Sequence, residues 1–120
     1  MQETWKFVNL KAPESRVQSL IPWLNNVMDQ NDSEMGIFLS YYYRKEGAVV
    51  ENVRLTPPSS DLTEMTGSIS VSFELVHFNA CLNIHDTNPE QLILSYEISE
   101  QGTALTLTGP YWPEREPDEL

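Results

Sequence analysis

The stretch Ser68-Ile69-Ser70-Val71-Ser72-Phe73-Glu74-Leu75-Val76 decides how this chain is read. Ile69, Val71, Phe73 and Leu75 are apolar, and Ser68, Ser70, Ser72 and Glu74 are polar. Eight of eight positions therefore match the period of two expected of a strand with one buried face. Such a strand needs partners for its backbone and a cover for its apolar side.

Both flanks offer partners. Downstream, residues 80–84 are expected to form a strand, Thr87-Asn88-Pro89-Glu90 a turn, and residues 91–99 a strand with Leu92, Leu94, Tyr96 and Ile98 on one face. Glu100-Gln101-Gly102 then turns the chain, and residues 103–108 return with Leu105 and Leu107 inward. Upstream, the segment Thr56-Pro57-Pro58-Ser59-Ser60-Asp61 reads as a loop. Residues 48–55 read as a strand, and Lys45-Glu46-Gly47 as a hairpin connection. Residues 36–44 are rich in Ile, Phe, Leu and Tyr and read as a further strand by propensity. Residues 4–10 read as extended, with a switch of parity at Val8 and Leu10 that suggests a bulge or two covered faces.

The cover comes from one helix. Val17, Leu20, Ile21, Leu24, Val27 and Met28 form an apolar stripe of period 3.6, and Ser15 with Gln18 matches a capping box. Pro22 falls inside this pattern. It either sits on the solvent side of a bent helix, or marks a break with a helix starting near it. The fold class that follows is α+β: a curled, mostly antiparallel sheet of six or seven strands with one helix from the N-terminal half packed on it. Residues 1–109 form a single domain in this reading. Residues 110–120 form an acidic, Pro-rich C-terminal tail, with Pro110, Pro113 and Pro117 among Glu114, Glu116, Asp118 and Glu119. Within it Tyr111 and Trp112 either pack back on the domain or stay exposed as a docking element.

Charge is unevenly spread. Residues 1–54 hold 6 basic and 7 acidic side chains, whereas residues 55–120 hold 1 basic and 11 acidic. No Lys or Arg occurs between Arg54 and Arg115, so the net charge of −11 belongs almost wholly to the second half. The lone Cys81 excludes an internal disulfide. The first residues show no signal-peptide pattern, and no apolar run is long enough to span a membrane, so the expected location is cytoplasmic, without membrane association.

Catalytic and metal constellations are thin. His77, Cys81 and His85 are spaced four and four, too far apart along one continuous strand to share an ion, whereas a turn at Asn79 would bring His77 and Cys81 closer, with Asp86 as a further ligand. Glu74 and Glu97 fall on the outward parity of their strands, which suits solvated carboxylates better than acid–base catalysis. No phosphate loop, dinucleotide fingerprint or nucleophile elbow is present. The run Tyr41-Tyr42-Tyr43-Arg44-Lys45 mixes stacking groups with cations, but the acidic field opposes phosphate binding and disfavours nucleic acid as a partner. The expectation is no catalytic residue, no metal and no cofactor.

What remains is binding. A cation-free half can dock a basic protein, because complementary fields speed association. The expected partner-binding residues are Asp61, Glu64, Glu74, Asp86, Glu90, Glu97 and Glu100, with Tyr111 and Trp112. Inhibitors and toxin-immunity proteins use this physics, and the likeness to them is one of composition alone. The alternative is a small-molecule-binding or enzymatic domain with a pocket between helix and curled sheet, lined by Trp5, Phe7, Phe73 and Tyr96. Self-association through exposed strands or aromatics is a third arrangement.

Overall fold

A computed structural model describes residues 1–13, 19–57, 62–79 and 84–113. The strand read from Ser68 to Val76 is the middle of a longer one. In chain order the elements are β1 (Thr4–Phe7), α1 (Ile21–Gln30), α2 (Asp32–Tyr43), β2 (Ala48–Leu55), β3 (Thr66–Asn79), β4 (Ile84–Ile98) and β5 (Leu105–Thr108). The strands form one curled antiparallel sheet in the order β1-β5-β4-β3-β2. Both helices lie against one face of it, so the α+β class stands. The described residues hold five strands and two helices instead of six or seven strands and one helix.

The largest difference is residues 36–44, which are helical, not extended. Met35, Phe38, Leu39, Tyr42 and Tyr43 are the buried residues of α2, spaced 3, 4, 7 and 8 from the first. That is a helical stripe, and burying it outweighs the strand propensity of Tyr, Phe and Ile. The expected hairpin at Lys45 is instead a short 3-10 turn (Arg44–Glu46) closing the helix. Gly47 ends it at φ 71°, donating its N–H to the Arg44 carbonyl at 3.0 Å, a backbone shape that favours glycine.

Three boundaries also move. Helix α1 begins at Ile21, with Pro22 in its first turn, where a missing N–H costs nothing. Ser15, Val17 and Gln18 lie outside the described residues. Strand β1 stops at Phe7, ahead of Asn9 at a positive φ of 57°. The bulge lies in β2, where the register with β3 shifts between Glu51 and Arg54 and Asn52 takes φ 56°. The turn expected at Thr87 to Glu90 is absent: β4 runs straight through Pro89. The expected strand at residues 80–84 falls mostly on residues 80–83, which lie outside the described set.

Strands β3 and β4 pair over fourteen consecutive positions, from Thr66↔Glu97 to Asn79↔Ile84. One face carries Ile69, Val71, Phe73 and Leu75 beside Tyr96 and Leu94, all buried against the helices with Phe38, Leu39, Leu24 and Leu107. The other face has no helix among the described residues and is rich in hydroxyls. Ser68, Ser95, Thr108 and Thr4 align across four strands.

Helix α2 also closes the β2 edge of the sheet. Val50 N donates to Ser40 Oγ at 3.0 Å, and Ser40 Oγ donates to the Gly36 carbonyl at 2.6 Å. Gly36 permits the approach, since a Cβ there would stand 3.1 Å from the Val50 carbonyl. One serine thus satisfies an edge N–H that would otherwise be left unpaired beneath a helix. Ser40→Ala should therefore lower stability by about 1–3 kcal/mol, read as a lower urea midpoint with an unchanged slope. A midpoint equal to that of the parent protein would show that water replaces the hydroxyl.

Candidate docking site

Of the seven acidic residues expected at a partner surface, the six among the described residues fall into two groups. Asp61 lies outside the described residues. Glu64 precedes β3, where its carbonyl accepts the Tyr96 hydroxyl at 2.9 Å. Glu97 pairs with Thr66, and Glu100 follows in the turn toward β5. These three gather at one end of the β3–β4 ribbon. Glu74, Asp86 and Glu90 lie in the other half, with Glu90 and Glu74 near the middle of the ribbon and Asp86 closer to the far end. Asp86 and Glu97 are eleven residues apart on a single strand, about 37 Å at the usual rise. A small partner can engage one end only.

The outward sheet face also carries positive charge at its flanks. Lys6 pairs with Thr106 on one side and Arg54 with Ser72 on the other. Strands β5, β4 and β3 carry no Lys or Arg, and cations of the outer strands β1 and β2 bound them. Asp86 and Glu90 lie on the opposite parity from Glu74 and Glu97, because they pair with His77 and Phe73. They are exposed nonetheless. Opposite parity puts acids on both sides of the ribbon at this end.

Two further acids join Glu74, Asp86 and Glu90 there. Glu51 stands directly opposite Glu74 in the β2–β3 ladder, a like-charge pair that opposes folding. The Asn52 amide at the bulge donates to Glu74 Oε2 at 2.8 Å and relieves part of that repulsion. Glu46 Oε2 lies 3.9 Å from His77 Nε2. Glu51 was legible as an outward position of its strand. Glu46 was not, because the 3-10 turn that places it depends on α2 being a helix.

Tyr43 connects this end to the C-terminal segment. Its ring packs at a tilt against Phe73 at 5.7 Å and meets Trp112 edge to face at 5.4 Å. Trp112 also meets Tyr42 at 5.0 Å, and its backbone exchanges hydrogen bonds with Met1. Gly109 lets this happen, since any Cβ there would run into the Tyr42 hydroxyl. That hydroxyl donates to the Pro110 carbonyl at 2.9 Å and accepts the Glu3 N–H at 2.9 Å. Residues 109–113 are therefore a latch on α2 and not a free tail. Trp112 packs back, while Tyr111 is 67% exposed.

The histidine–cysteine set is described only in part. His77 pairs with Asp86 and His85 with Phe78, neighbouring rungs of one ladder, and Cys81 lies outside the described residues. Among the described residues no three His, Cys, Asp or Glu side chains stand close enough to hold a metal ion. Tyr42 and Tyr43 are buried, and Tyr41 is half-buried under the Arg44 guanidinium at 4.8 Å, so the tyrosine run forms no open stacking strand. Phe7, Phe73 and Tyr96 are core residues, and Trp5 packs on Phe38 at 6.0 Å, which fills the space where a pocket was expected. The larger grooves among the described residues are open to solvent. One of about 790 Å³ runs between α2 and the start of β2, past Ile37, Tyr41 and Val49. No described helix is long and apolar enough to cross a membrane. The chain matches no protein-family model, and no curated protein or solved structure is significantly similar to it.

Burial raises the Tyr43 hydroxyl to a pKa of about 12, and the negative charges of Glu90 and Glu46 add to the effect. A phenol that ionises near 10 in the unfolded chain and near 12 in the folded one supports folding fully below pH 10. That support is lost as pH rises from 10 to 12. The denaturation midpoint should fall across this window, and Tyr43→Phe should flatten the fall. Tyr42 and Tyr96 are also raised by burial. If Tyr43→Phe leaves the alkaline slope unchanged, Tyr43 is not the group responsible.

Proposed function

We propose that this protein is a non-catalytic docking module. In this reading it takes a basic protein partner on the acidic end of the β3–β4 ribbon and acts as an inhibitor or immunity-like protein. The supporting observation is the concentration of Glu74, Asp86, Glu90, Glu51 and Glu46 at that end, within a chain that has no cation from residue 55 to 114. Strand alternation displays these acids on two faces. The Glu51–Glu74 pair stores a repulsion that an incoming Lys or Arg would relieve. Tyr111, exposed beside the Trp112 latch, adds an aromatic contact of the kind enriched at binding surfaces. Glu64, Glu97 and Glu100 lie too far along the ribbon to join the same small interface.

A partner of this kind binds faster and more tightly at low salt, since the Debye length shrinks from about 30 Å at 0.01 M to about 8 Å at 0.15 M. Pull-downs from the native cell should retain a basic protein at low salt and lose much of it at moderate salt. The Asp86→Asn, Glu90→Gln double variant should lose it at both. Retention unaffected by salt and by the double variant would overturn the acidic-end reading.

A further inference from the structure

In an antiparallel ladder, the N–H and C=O groups of successive residues point alternately to the two sides of a strand. Both directions are visible around the end of β4. Ile98 N donates to Met65 O on the β3 side at 2.7 Å, and Ser99 N donates to Ala104 O on the β5 side at 3.0 Å. Even-numbered positions of β4 therefore face β3, and odd-numbered positions face away from it. Strand β5 occupies that far side only opposite residues 95–98. Among the described residues, no strand pairs with the same side of residues 84–94. The sheet is stepped, and the outward-turned peptide groups of positions 85, 87, 89, 91 and 93 form an open strand edge inside its outline.

The local sequence treats this edge as exposed. Pro89 is one of the odd positions, so its missing N–H falls on the open side and takes nothing from the β3–β4 ladder. This is why β4 passes through a proline without breaking. The Gln91 N–H, also on the open side, is held by the neighbouring Glu90 Oε1 at 3.3 Å. His85, Thr87 and Ile93 supply the other amide donors, and the side chains from Asp86 to Gln91 are all exposed. Proline and charge are the usual devices that keep an open edge from pairing at random.

We infer that this edge is where the basic partner docks, through an extended segment added antiparallel to β4. The inference rests on the proposed function and specifies its mode. The charges select the occupant. A second copy of β4 running antiparallel about Asn88 would set Asp86 of each strand opposite Glu90 of the other, a repulsive pairing. A segment with Lys or Arg at those two places pairs instead, and Glu90 then exchanges the Gln91 amide for a cation. Opposite Asp86 and Glu90 the added strand has residues four apart on one face. Opposite Ile93, which is 66% exposed, it has a residue three positions earlier on the other face. The expected recognition pattern is thus an apolar residue, two of any kind, a cation, three of any kind, and a second cation. Main-chain bonds supply affinity in this mode, and alternate side chains supply specificity.

The probe is a synthetic eleven-residue peptide with Ile and two Lys in that spacing and Ser or Thr elsewhere, titrated into the full chain. Thr87→Pro removes an edge-facing N–H, as Pro89 already does, and leaves the β3 ladder intact. It should weaken the peptide about tenfold, one strong hydrogen bond's worth. Asp86→Asn with Glu90→Gln should weaken it by a similar factor. In the unsubstituted chain, the Thr87 and Ile93 amides should gain protection from exchange when the peptide is added. Binding that depends on the acids, without amide protection and without an effect of Thr87→Pro, would overturn edge pairing while leaving the acidic docking function standing. Binding unaffected by the acid substitutions, or no binding, would overturn the inference and its basic occupant together. A doubled mass in sedimentation, abolished by Thr87→Pro, would assign the edge to a second copy and overturn it as well.

Discussion

The pairing of β3 with β4 is the constraint on which the rest of this molecule depends. Fourteen residue pairs in unbroken register commit every side chain on both strands to one face or the other. A slip of one residue would send Ile69, Val71, Phe73 and Leu75 to the solvent side and bring serines under the helices. The two helices then have a single apolar surface to cover, and the outer face is left to hydroxyls and a few charges. Strands β2, β5 and β1 add to this ribbon only where its sides need closing.

Closure is uneven. On the β2 side, α2 lies against the strand, and the Ser40 hydroxyl takes the Val50 N–H that no neighbouring strand reaches. On the β4 side, β5 covers four positions and then departs at Gly109 to latch across Tyr42. The same α2 is thus fixed twice, by its serine against β2 and by its tyrosines under Trp112. Burial of those tyrosines joins the latch to Phe73 and, through it, to the acidic end of the ribbon.

Charge and topology meet at that end. Acids placed on both parities of a long ribbon cannot be neutralised from within a half-chain that holds no cation. They stand where β4 extends past β5, while β3 is still paired with β2. A proline on the open side of β4 and a glutamate holding a spare amide both oppose random strand pairing along that edge. The physics that discourages self-pairing is the physics that would welcome a basic segment.

By itself, the sequence determined that the chain is α+β, that its centre is an antiparallel ribbon with Ile69, Val71, Phe73 and Leu75 inward, and that its charge lies in the second half. Those features rest on period-two patterning and composition, which are local. The identity of α2 was also encoded, in the spacing of Met35, Phe38, Leu39, Tyr42 and Tyr43. Strand propensity masked it, because aromatic residues favour a strand until a sheet face exists for a helix to bury them against. Only tertiary structure decided that Pro89 lies within a strand, because its tolerance depends on which side of β4 lacks a partner. Tertiary structure alone also divided the six described acids between the two halves of one ribbon, since their distances follow from register and length, and sequence spacing carries neither.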